Sequence, residues 1–377
     1  MVESSAPTKD IPKKVLVFDL GHYWTKAFFL EVDDSKLKIL AKTYLPTSSN
    51  DLNITFTQAF FELAKISKMK LWQEEALSFP LIITTELKLP EKIGQMAIKM
   101  VETKEALQTL KTVYQEKKGK HNFEIIDLGS KVFDSNLDIQ EISGSLIFPS
   151  NVIDVENYIG NKRLDSFSLP VERREIELEQ AIAKVGWQRL FPFSKTSSNF
   201  GCDLLLTGAV FAFSPEDPLT ALIVLDNLPE SVVTQAWVDL DLITPSLGAF
   251  LTVYPELNEF FSQDNFQNDL FKLANFKNLG TFVSLGKPGV IKVDFGYAQL
   301  QEVVVEEDQI VLLPVKGDQK VSFKIPFSGK KIQASLEGGE LGIVFDGRVK
   351  PFRLTSGKLS QEKILHWRES LKKVEAI

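Results

Sequence analysis

The sequence predicts an α/β protein made of two related halves, a β-rich region after them and a helix at the end. Three observations lead to this prediction. The tripeptide Asp-Leu-Gly ends a short apolar run twice, at residues 19–21 and again at residues 127–129. Helical and strand-like periodicities alternate after each copy. Short apolar runs separated by glycine then dominate residues 266–355, a spacing typical of a small β-sandwich or barrel.

The predicted division has five parts, which differ in composition and periodicity. They are a disordered leader over 1–12, a first half over 13–120, a second half over 121–255, a β-rich domain over 266–355 and a C-terminal helix over 358–377. The leader is assigned because it is polar and includes two prolines. The helix is amphipathic over Ser360–Val374, and its apolar stripe could pack on its own domain or dock on a partner.

The first half is expected to begin with a β-hairpin over residues 15–30. A third strand, Lys36–Tyr44, alternates charged and apolar residues and completes a meander. The elements expected next are a helix over Thr55–Lys68, a buried strand over Leu77–Thr84 and a long helix from Glu91 to about Lys118.

The second half is expected to repeat the hairpin over residues 124–138. Its next predicted elements are a strand at Gly144–Phe148, a loop over 149–170, a helix over Val171–Phe191, a strand at Asp203–Thr207, a helix over Leu219–Asn227 and a strand at Thr234–Leu240. Both halves are therefore predicted to share an antiparallel-plus-parallel α/β plan.

Charge and composition argue against several classes of function. The net charge of −7 argues against a general nucleic-acid binder, whose surface would be basic. The single cysteine, Cys202, excludes an internal disulfide framework, and three histidines far apart in sequence argue against a Cys/His metal site. No apolar run is long enough to span a bilayer, so we expect a cytoplasmic protein without direct membrane insertion.

The chemistry of a strand that ends in Asp-Leu-Gly favours phosphate and metal binding. Glycine allows a tight turn with accessible backbone N–H groups, and the aspartate can reach a hydrated divalent cation. Two such hairpins facing each other could clamp the phosphates of a nucleotide and its Mg²⁺. The alternative is that each tripeptide is an ordinary strand end followed by a turn.

Duplicated hairpins of this form, with a later strand and glycine before a helix, resemble the actin-like ATPase (ASKHA) superfamily. Within it, the sequence is similar to the GlmL/MutL family, which is associated with glutamate mutase. The similarity is carried by Asp19-Leu-Gly-His-Tyr-Trp-Thr-Lys, Asp127-Leu-Gly-Ser-Lys-Val-Phe-Asp, Asp203-Leu-Leu-Leu-Thr-Gly-Ala, residues 237–248 and residues 338–351. The resemblance implies duplicated actin-like, ribonuclease H-like halves.

The resemblance also implies a set of nucleotide-binding residues and the cofactors ATP and Mg²⁺. The implied binding residues are Asp19, Gly21, Thr25 and Lys26 in the first hairpin, Asp127, Gly129 and Ser130 in the second, and Thr207, Gly208 and Ala209 in the glycine turn against the adenosine. Asp19 and Asp127 would hold Mg²⁺ through water. Asp127 and Asp134 would be the catalytic residues if the protein is active.

The chain departs from the family pattern at the phosphate motifs. His22 and Tyr23 replace a small Ser-Thr pair in the first hairpin. In the second, Lys131 and Phe133 replace small or hydroxyl residues, and Ala209 replaces a glycine of the adenosine turn. Each change removes a hydroxyl donor or a permissive backbone position. Together they predict weakened or lost nucleotide turnover, with no cofactor if the site is lost.

Three functions are compatible with these observations. The leading hypothesis is an actin-like pseudo-ATPase that acts as a scaffold or assembly partner, with a protein partner such as a related actin-like chain. The second is an ATP-dependent chaperone or reactivase, as the GlmL/MutL resemblance implies. The third is a small-molecule kinase, which would need Asp127 or Asp134 as a general base.

Overall fold

The computed structural model describes most of the chain. It covers residues 12–33, 36–48, 51–73, 76–117, 122–129, 131–134, 136–165, 168–191, 202–259, 274–296, 300–317, 319–327, 330–349 and 361–372. The predicted leader lies outside these ranges except for Pro12.

The chain forms two compact units, each made of two segments. Unit 1 contains Met1–Lys120 and Asp241–Asn275, and unit 2 contains His121–Leu240 and Phe276–Ile377. The structure therefore divides the chain differently from the predicted boundaries. Residues 241–255, predicted in the second half, belong to unit 1, and most of the predicted β-rich domain belongs to unit 2.

Strands and helices alternate along the first two thirds of the chain, and strands dominate thereafter. In chain order, the strands are β1 (Lys14–Leu20), β2 (Trp24–Asp33), β3 (Lys36–Pro46), β4 (Trp72–Gln73), β5 (Ala76–Leu77), β6 (Leu81–Thr85), β7 (Lys99–Glu102), β8 (Asn122–Asp127), β9 (Cys202–Thr207), β10 (Val232–Asp239), β11 (Phe276–Ser284), β12 (Gly289–Asp294), β13 (Leu300–Val305), β14 (Ile310–Leu313), β15 (Lys320–Phe327), β16 (Lys330–Glu337) and β17 (Ile343–Asp346). The helices are α1 (Leu52–Ser67), α2 (Glu91–Met96), α3 (Thr103–Lys117), α4 (Lys131–Asp134), α5 (Ile139–Gly144), α6 (Val152–Leu164), α7 (Arg173–Leu190), α8 (Ala209–Ala212), α9 (Asp217–Asn227), α10 (Thr244–Val253) and α11 (Gln361–Ser370).

The sheet of unit 1 has the strand order β3-β2-β1-β6-β7. β1, β2 and β3 are antiparallel neighbours, whereas β6 pairs in parallel with β1 and β7 pairs in parallel with β6. This is the predicted meander followed by parallel strands, so the hairpin predicted over residues 15–30 is confirmed. The arrangement is the antiparallel-plus-parallel α/β plan predicted for the first half.

Aromatic side chains fill the core between this sheet and α1. The rings of Phe18 and Phe56 lie 5.0 Å apart, and those of Phe29 and Phe79 lie 4.9 Å apart. Asp51 caps the N-terminus of α1, because its side chain accepts a hydrogen bond from a backbone N–H of the first turn. The helix predicted over Thr55–Lys68 is therefore confirmed, with a start three residues earlier.

The single long helix predicted from Glu91 to about Lys118 is wrong. The chain instead forms α2, the edge strand β7 and then α3. The break comes at Ala97, which has an extended backbone with φ −81° and ψ 137°. The N–H of Ile98 then donates to Leu81 O at 2.8 Å, because the sheet offers hydrogen-bond partners that a helical pattern does not reveal.

The larger sheet of unit 2 has the strand order β14-β17-β11-β10-β9-β8. β8, β9 and β10 run parallel, and β11 pairs antiparallel with β10. The strands predicted at Asp203–Thr207 and Thr234–Leu240 are confirmed as β9 and β10. The carboxyl ends of β8, β9 and β10 consequently meet at one edge, which is where open α/β sheets bind ligands.

The second hairpin, predicted over residues 124–138, is wrong. β8 forms as expected, but α4 follows where a second strand was predicted. The strand predicted at Gly144–Phe148 is also wrong, because α5 ends at Gly144 and residues 145–148 belong to neither a helix nor a strand. The loop predicted over 149–170 is wrong too, since α6 occupies much of that range. Two short polar residues in these ranges are helix caps. Asp138, at the end of the predicted hairpin, accepts from two backbone N–H groups of α5, and Asn151, in the predicted loop, accepts from one of α6.

The strands β11 to β17 all lie within residues 266–355, the region predicted to be rich in β-strands. β11, β17 and β14 extend the sheet that begins with β8, while β12, β13, β15 and β16 form a second sheet in the order β13-β12-β15-β16. The two sheets share a core of buried aliphatic side chains that includes Val283, Ile291, Val303 and Ile343. This face-to-face packing is that of a β-sandwich, with one layer continuous with the parallel strands.

The terminal helix α11 packs on unit 2. Trp367 donates from Nε1 to Asp308 O at 2.8 Å, and Arg368 forms a two-pronged buried ion pair with Glu177 of α7. The guanidinium of Arg348, which is fully buried against Asp346, lies 4.6 Å from the Trp367 ring centroid. These contacts favour packing of the helix on its own domain over docking elsewhere.

Candidate functional site

The predicted site residues fall into two groups, one in each unit. Unit 1 holds Asp19, Gly21, Thr25 and Lys26, and unit 2 holds Asp127, Gly129, Thr207, Gly208 and Ala209. Ser130 and the side chain of Asp134 lie outside the described residues.

Asp19 forms an ion pair inside the first hairpin. It is the last residue but one of β1 and lies directly opposite Lys26 of β2, with Lys26 Nζ 2.6 Å from Asp19 Oδ2. Asp19 is only 2% exposed. The carboxylate predicted to hold Mg²⁺ is therefore buried and neutralised by a neighbour from its own sheet.

The turn after Asp19 closes on itself through Gly21. Its N–H donates to Trp24 O at 3.1 Å, and a Cβ at this position would lie 2.9 Å from the same oxygen. Glycine is required because the backbone of Trp24 approaches so closely. The N–H that a phosphate would need is used within the turn.

The hydroxyl of Thr25 also forms its hydrogen bond within unit 1. Its Oγ1 lies 2.9 Å from Thr47 Oγ1, and the side chain is fully buried. Thr85, at the end of β6, donates from Oγ1 to Leu20 O at 2.6 Å. Neither Thr47 nor Thr85 was among the predicted site residues. Their position at the ends of strands next to the hairpin is the sequence signal that could have found them.

In unit 2, the two predicted turns meet. Asp127 and Thr207 are register partners on β8 and β9, and Leu128 donates its N–H to Thr207 O at 3.0 Å. Gly208 has φ +108°, and a Cβ there would lie 2.5 Å from the carbonyl atoms of Leu128. The backbone of Gly208 thus packs directly against the Leu128–Gly129 peptide. Only glycine permits this contact, because any side chain would collide with that peptide.

A buried aspartate that was not among the predicted site residues completes this edge. Asp239, at the end of β10, is fully buried and accepts a hydrogen bond from Thr207 Oγ1 at 3.0 Å. Asp127 Oδ1 lies close to its own turn, since a Cβ on Gly129 would lie 3.2 Å from it. The strand ends therefore gather two carboxylates and one hydroxyl, a set that could bind a hydrated cation or polar ligand.

Helix packing fixes the chain after Gly129. Val132 of α4 is fully buried, and a Cβ on Gly186 of α7 would lie 2.7 Å from its Cγ1. Arg163 of α6 donates from Nε to Phe133 O at 2.8 Å. Backbone groups that a second hairpin would have presented to a phosphate are thus part of a helical layer.

A buried polar cluster joins α6 to α7. Burial raises the pKa of Glu179, although its ion pair with Lys162 opposes the shift. Tyr158 donates from Oη to Glu179 Oε1 at 3.3 Å, and burial, together with that carboxylate, raises the pKa of the phenol. The cluster supports the helices on which α4 packs.

The described part of the chain offers no cluster of three or more His, Cys, Asp or Glu side chains arranged to hold a metal ion. Asp19 and Asp127, the predicted Mg²⁺ ligands, belong to different units. Among the described helices, none is long and apolar enough to cross a membrane.

Comparisons with known proteins find fold neighbours but no family. No family model matches the chain, and no curated protein matches it. Component A of (R)-2-hydroxyglutaryl-CoA dehydratase from Acidaminococcus fermentans is 14% identical with a TM-score of 0.37, over 65% of this chain and 99% of that one.

Two further solved structures are similar at the same level. The ethanolamine utilization protein EutJ from Carboxydothermus hydrogenoformans is 12% identical with a TM-score of 0.36, over 64% of this chain and 90% of that one. A Ppx/GppA family member from Aquifex aeolicus is 12% identical with a TM-score of 0.26, over 65% of this chain and 90% of that one. With TM-scores below 0.5, these likenesses assign no activity to the chain.

Proposed function

We propose that the chain is an actin-like pseudo-ATPase that acts as a scaffold or assembly partner in a protein complex. The observation that carries the proposal is the internal use of the first hairpin's polar groups. A carboxylate must be accessible if it is to hold a metal ion, and a phosphate needs free backbone N–H groups. Asp19 is in a buried ion pair with Lys26, and the N–H of Gly21 is bonded to Trp24.

The second motif supports the same proposal. α4 stands where the resemblance implies a phosphate-binding strand, and Val132 and Phe133 are buried in the helical layer. An actin-like fold that keeps its shape without these groups still offers surfaces for assembly. A protein partner, for which a related actin-like chain is one candidate, and a cytoplasmic location belong to this proposal.

One observation favours an ATP-dependent chaperone or reactivase of the GlmL/MutL type as a second candidate. Asp127, Thr207 and Asp239 lie together at the carboxyl edge of unit 2, and Gly208 is seated beside them. These residues fit a metal and nucleotide better than the first hairpin does. In that case Mg²⁺ and ATP would be cofactors, and the metal would neutralise phosphate charge. Asp127 would bind it, while Thr207 would hold Asp239 in place.

Calorimetry with Mg²⁺-ATP tests the proposal. The full chain is titrated beside Asp127→Ala and beside Asp165→Ala, which removes an exposed carboxylate of the same unit. A pseudo-ATPase gives no saturable heat at millimolar nucleotide in any of the three. Saturable heat that is lost in Asp127→Ala and kept in Asp165→Ala would overturn the proposal and favour the chaperone. Phosphate transfer to a small molecule would instead favour the kinase.

A further inference from the structure

Unit 1 concentrates its exposed apolar side chains in one stretch. Among the described residues of this unit, all six large apolar side chains that are exposed lie between residues 54 and 100. Three of them, Phe61 at 67%, Ile98 at 49% and Trp72 at 42% exposed, line a single groove. Isolated exposed apolar residues are ordinary, but a contiguous set marks a binding surface.

The groove lies between α1, the β4–β5 ribbon and α2. One face of α1 forms a wall through Asn53, Thr57, Phe60, Phe61 and Ala64. The spacing of these residues is that of a helical stripe. The opposite wall is tied to α1 because the rings of Phe60 and Trp72 meet edge to face, with centroids 5.9 Å apart.

The size of the groove indicates the kind of ligand. Its volume is about 1830 Å³, whereas small-molecule pockets measure roughly 300 to 1,000 Å³. A helix with its side chains is about 10 to 12 Å across, so a few turns of helix would occupy a comparable volume. A concave apolar surface of this kind is how amphipathic helices are bound.

The charged residues that line the groove indicate which charges a ligand helix would carry. Lys70 and Lys92 line the groove and are exposed, and neither forms an ion pair with another described residue. Glu91 also lines the groove and keeps its negative charge, because its hydrogen bond at 3.0 Å comes from the neutral amide Nε2 of Gln95. The charged residues described in the lining therefore sum to +1, on a chain whose net charge is −7. Acidic residues beside the apolar stripe of a ligand helix would be attracted to the two lysines.

We propose that this groove binds an amphipathic helix of a partner protein. Apolar side chains of that helix would contact Phe61, Trp72 and Ile98, and its acidic residues would face Lys70 and Lys92. The proposal deepens the scaffold role, on which it rests for a partner. The experiments that test the groove do not involve the nucleotide motifs.

Two synthetic helices test the proposal against the full chain by fluorescence anisotropy. Each has about 14 residues, roughly 21 Å of helix, with a leucine and phenylalanine stripe. One carries glutamates beside the stripe and the other carries lysines. The glutamate peptide is expected to bind and the lysine peptide to bind much more weakly. Phe61→Glu should weaken binding at least about tenfold, whereas Ile153→Glu, at a 65% exposed position of unit 2, should leave it unchanged.

Charge reversal provides an independent readout. Lys70→Glu combined with Lys92→Glu should reverse the preference, so that the lysine peptide binds more tightly than the glutamate peptide. The proposal is overturned if neither peptide binds, or if Phe61→Glu binds as well as the unchanged chain. Binding to phosphatidylserine vesicles that Phe61→Glu abolishes would overturn it in favour of a membrane surface. Self-association of the chain that Phe61→Glu abolishes would also overturn the proposal, because the groove would then bind a second copy of this chain.

The failure of this proposal can be told apart from failure of the scaffold role. Nucleotide heat lost in Asp127→Ala would overturn the scaffold role whether or not a peptide binds. Absent peptide binding together with a flat nucleotide titration would overturn the groove alone.

Discussion

The two copies of Asp-Leu-Gly end equivalent strands but continue in opposite ways. After residues 19–21 the chain turns back as β2, whereas after residues 127–129 it forms α4. The tripeptide therefore specifies a strand end and a turn, but not the element that follows.

The difference comes from the residues after the turn. β2 contains Ala27, Phe28, Phe29 and Leu30, all fully buried, so both faces of a long strand are covered. In the second copy only Val132 and Phe133 are apolar before the polar run Asp134-Ser-Asn. That is too short for a strand of usual length, and a helical turn buries both apolar residues instead.

The largest expected effect comes from breaking the ion pair in the first copy. Lys26→Met leaves the Asp19 carboxylate buried without its cation, which should cost about 3 to 5 kcal/mol of unfolding free energy in unit 1. Urea denaturation combined with hydrogen exchange would measure this loss, because exchange reports on each unit separately.

The matched control removes both charges. Asp19→Asn with Lys26→Met replaces the pair by neutral groups and should recover most of the lost stability. A loss below about 1 kcal/mol for Lys26→Met would mean that the pair behaves like a surface ion pair. In that case Asp19 would be available to a cation, and the pseudo-ATPase proposal would lose its main support.

A smaller effect is expected at the glycine turn of the second copy. Gly208→Ala places a Cβ against the Leu128 carbonyl at positive φ, which should cost about 2 to 3 kcal/mol. Gly160→Ala is the control, because a Cβ there meets nothing within 4 Å inside α6. It should stabilise the protein slightly. Equal denaturation midpoints for the two variants would contradict the seating of Gly208 on the second copy.

The smallest effect is expected at the start of α7, the helix that supports α4. Backbone N–H groups of Val171 and Glu172 donate to Glu175 and lower its pKa. Because the folded-state pKa is lowered, the stabilisation is present above the ordinary pKa of glutamate and lost as the pH falls. Loss of this capping box in Glu175→Ala should cost only about 0.5 to 1 kcal/mol at neutral pH, because the carboxylate is screened by solvent.

Denaturation at several pH values checks this prediction. The difference between Glu175→Ala and the unchanged chain should shrink as the pH falls below the ordinary range for glutamate. A difference that stays constant into acid would show that the loss comes from packing and not from the capping box.

Local patterns were sufficient where an element carries its own strong periodicity. β1, β2, β3 and α1 follow from alternating or helical apolar spacing, and β9 and β10 from short apolar runs. The pairing of Asp19 with Lys26 is also within reach of the sequence, because a two-residue turn sets the register of a hairpin. In these cases each residue's neighbours along the chain are enough to decide its environment.

Contacts between residues distant in sequence decided the elements and site contacts that local patterns did not predict. β7 breaks a helical pattern because β6 offers it hydrogen bonds, and α4 forms because Val132 packs against Gly186, far along the chain. α10 belongs to unit 1 because Gly248 fits against Ala106. The acceptor role of Asp239 likewise depends on Thr207, a residue of the neighbouring strand. No local pattern encodes these partners, since burial and hydrogen bonding depend on which surfaces the folded chain brings together.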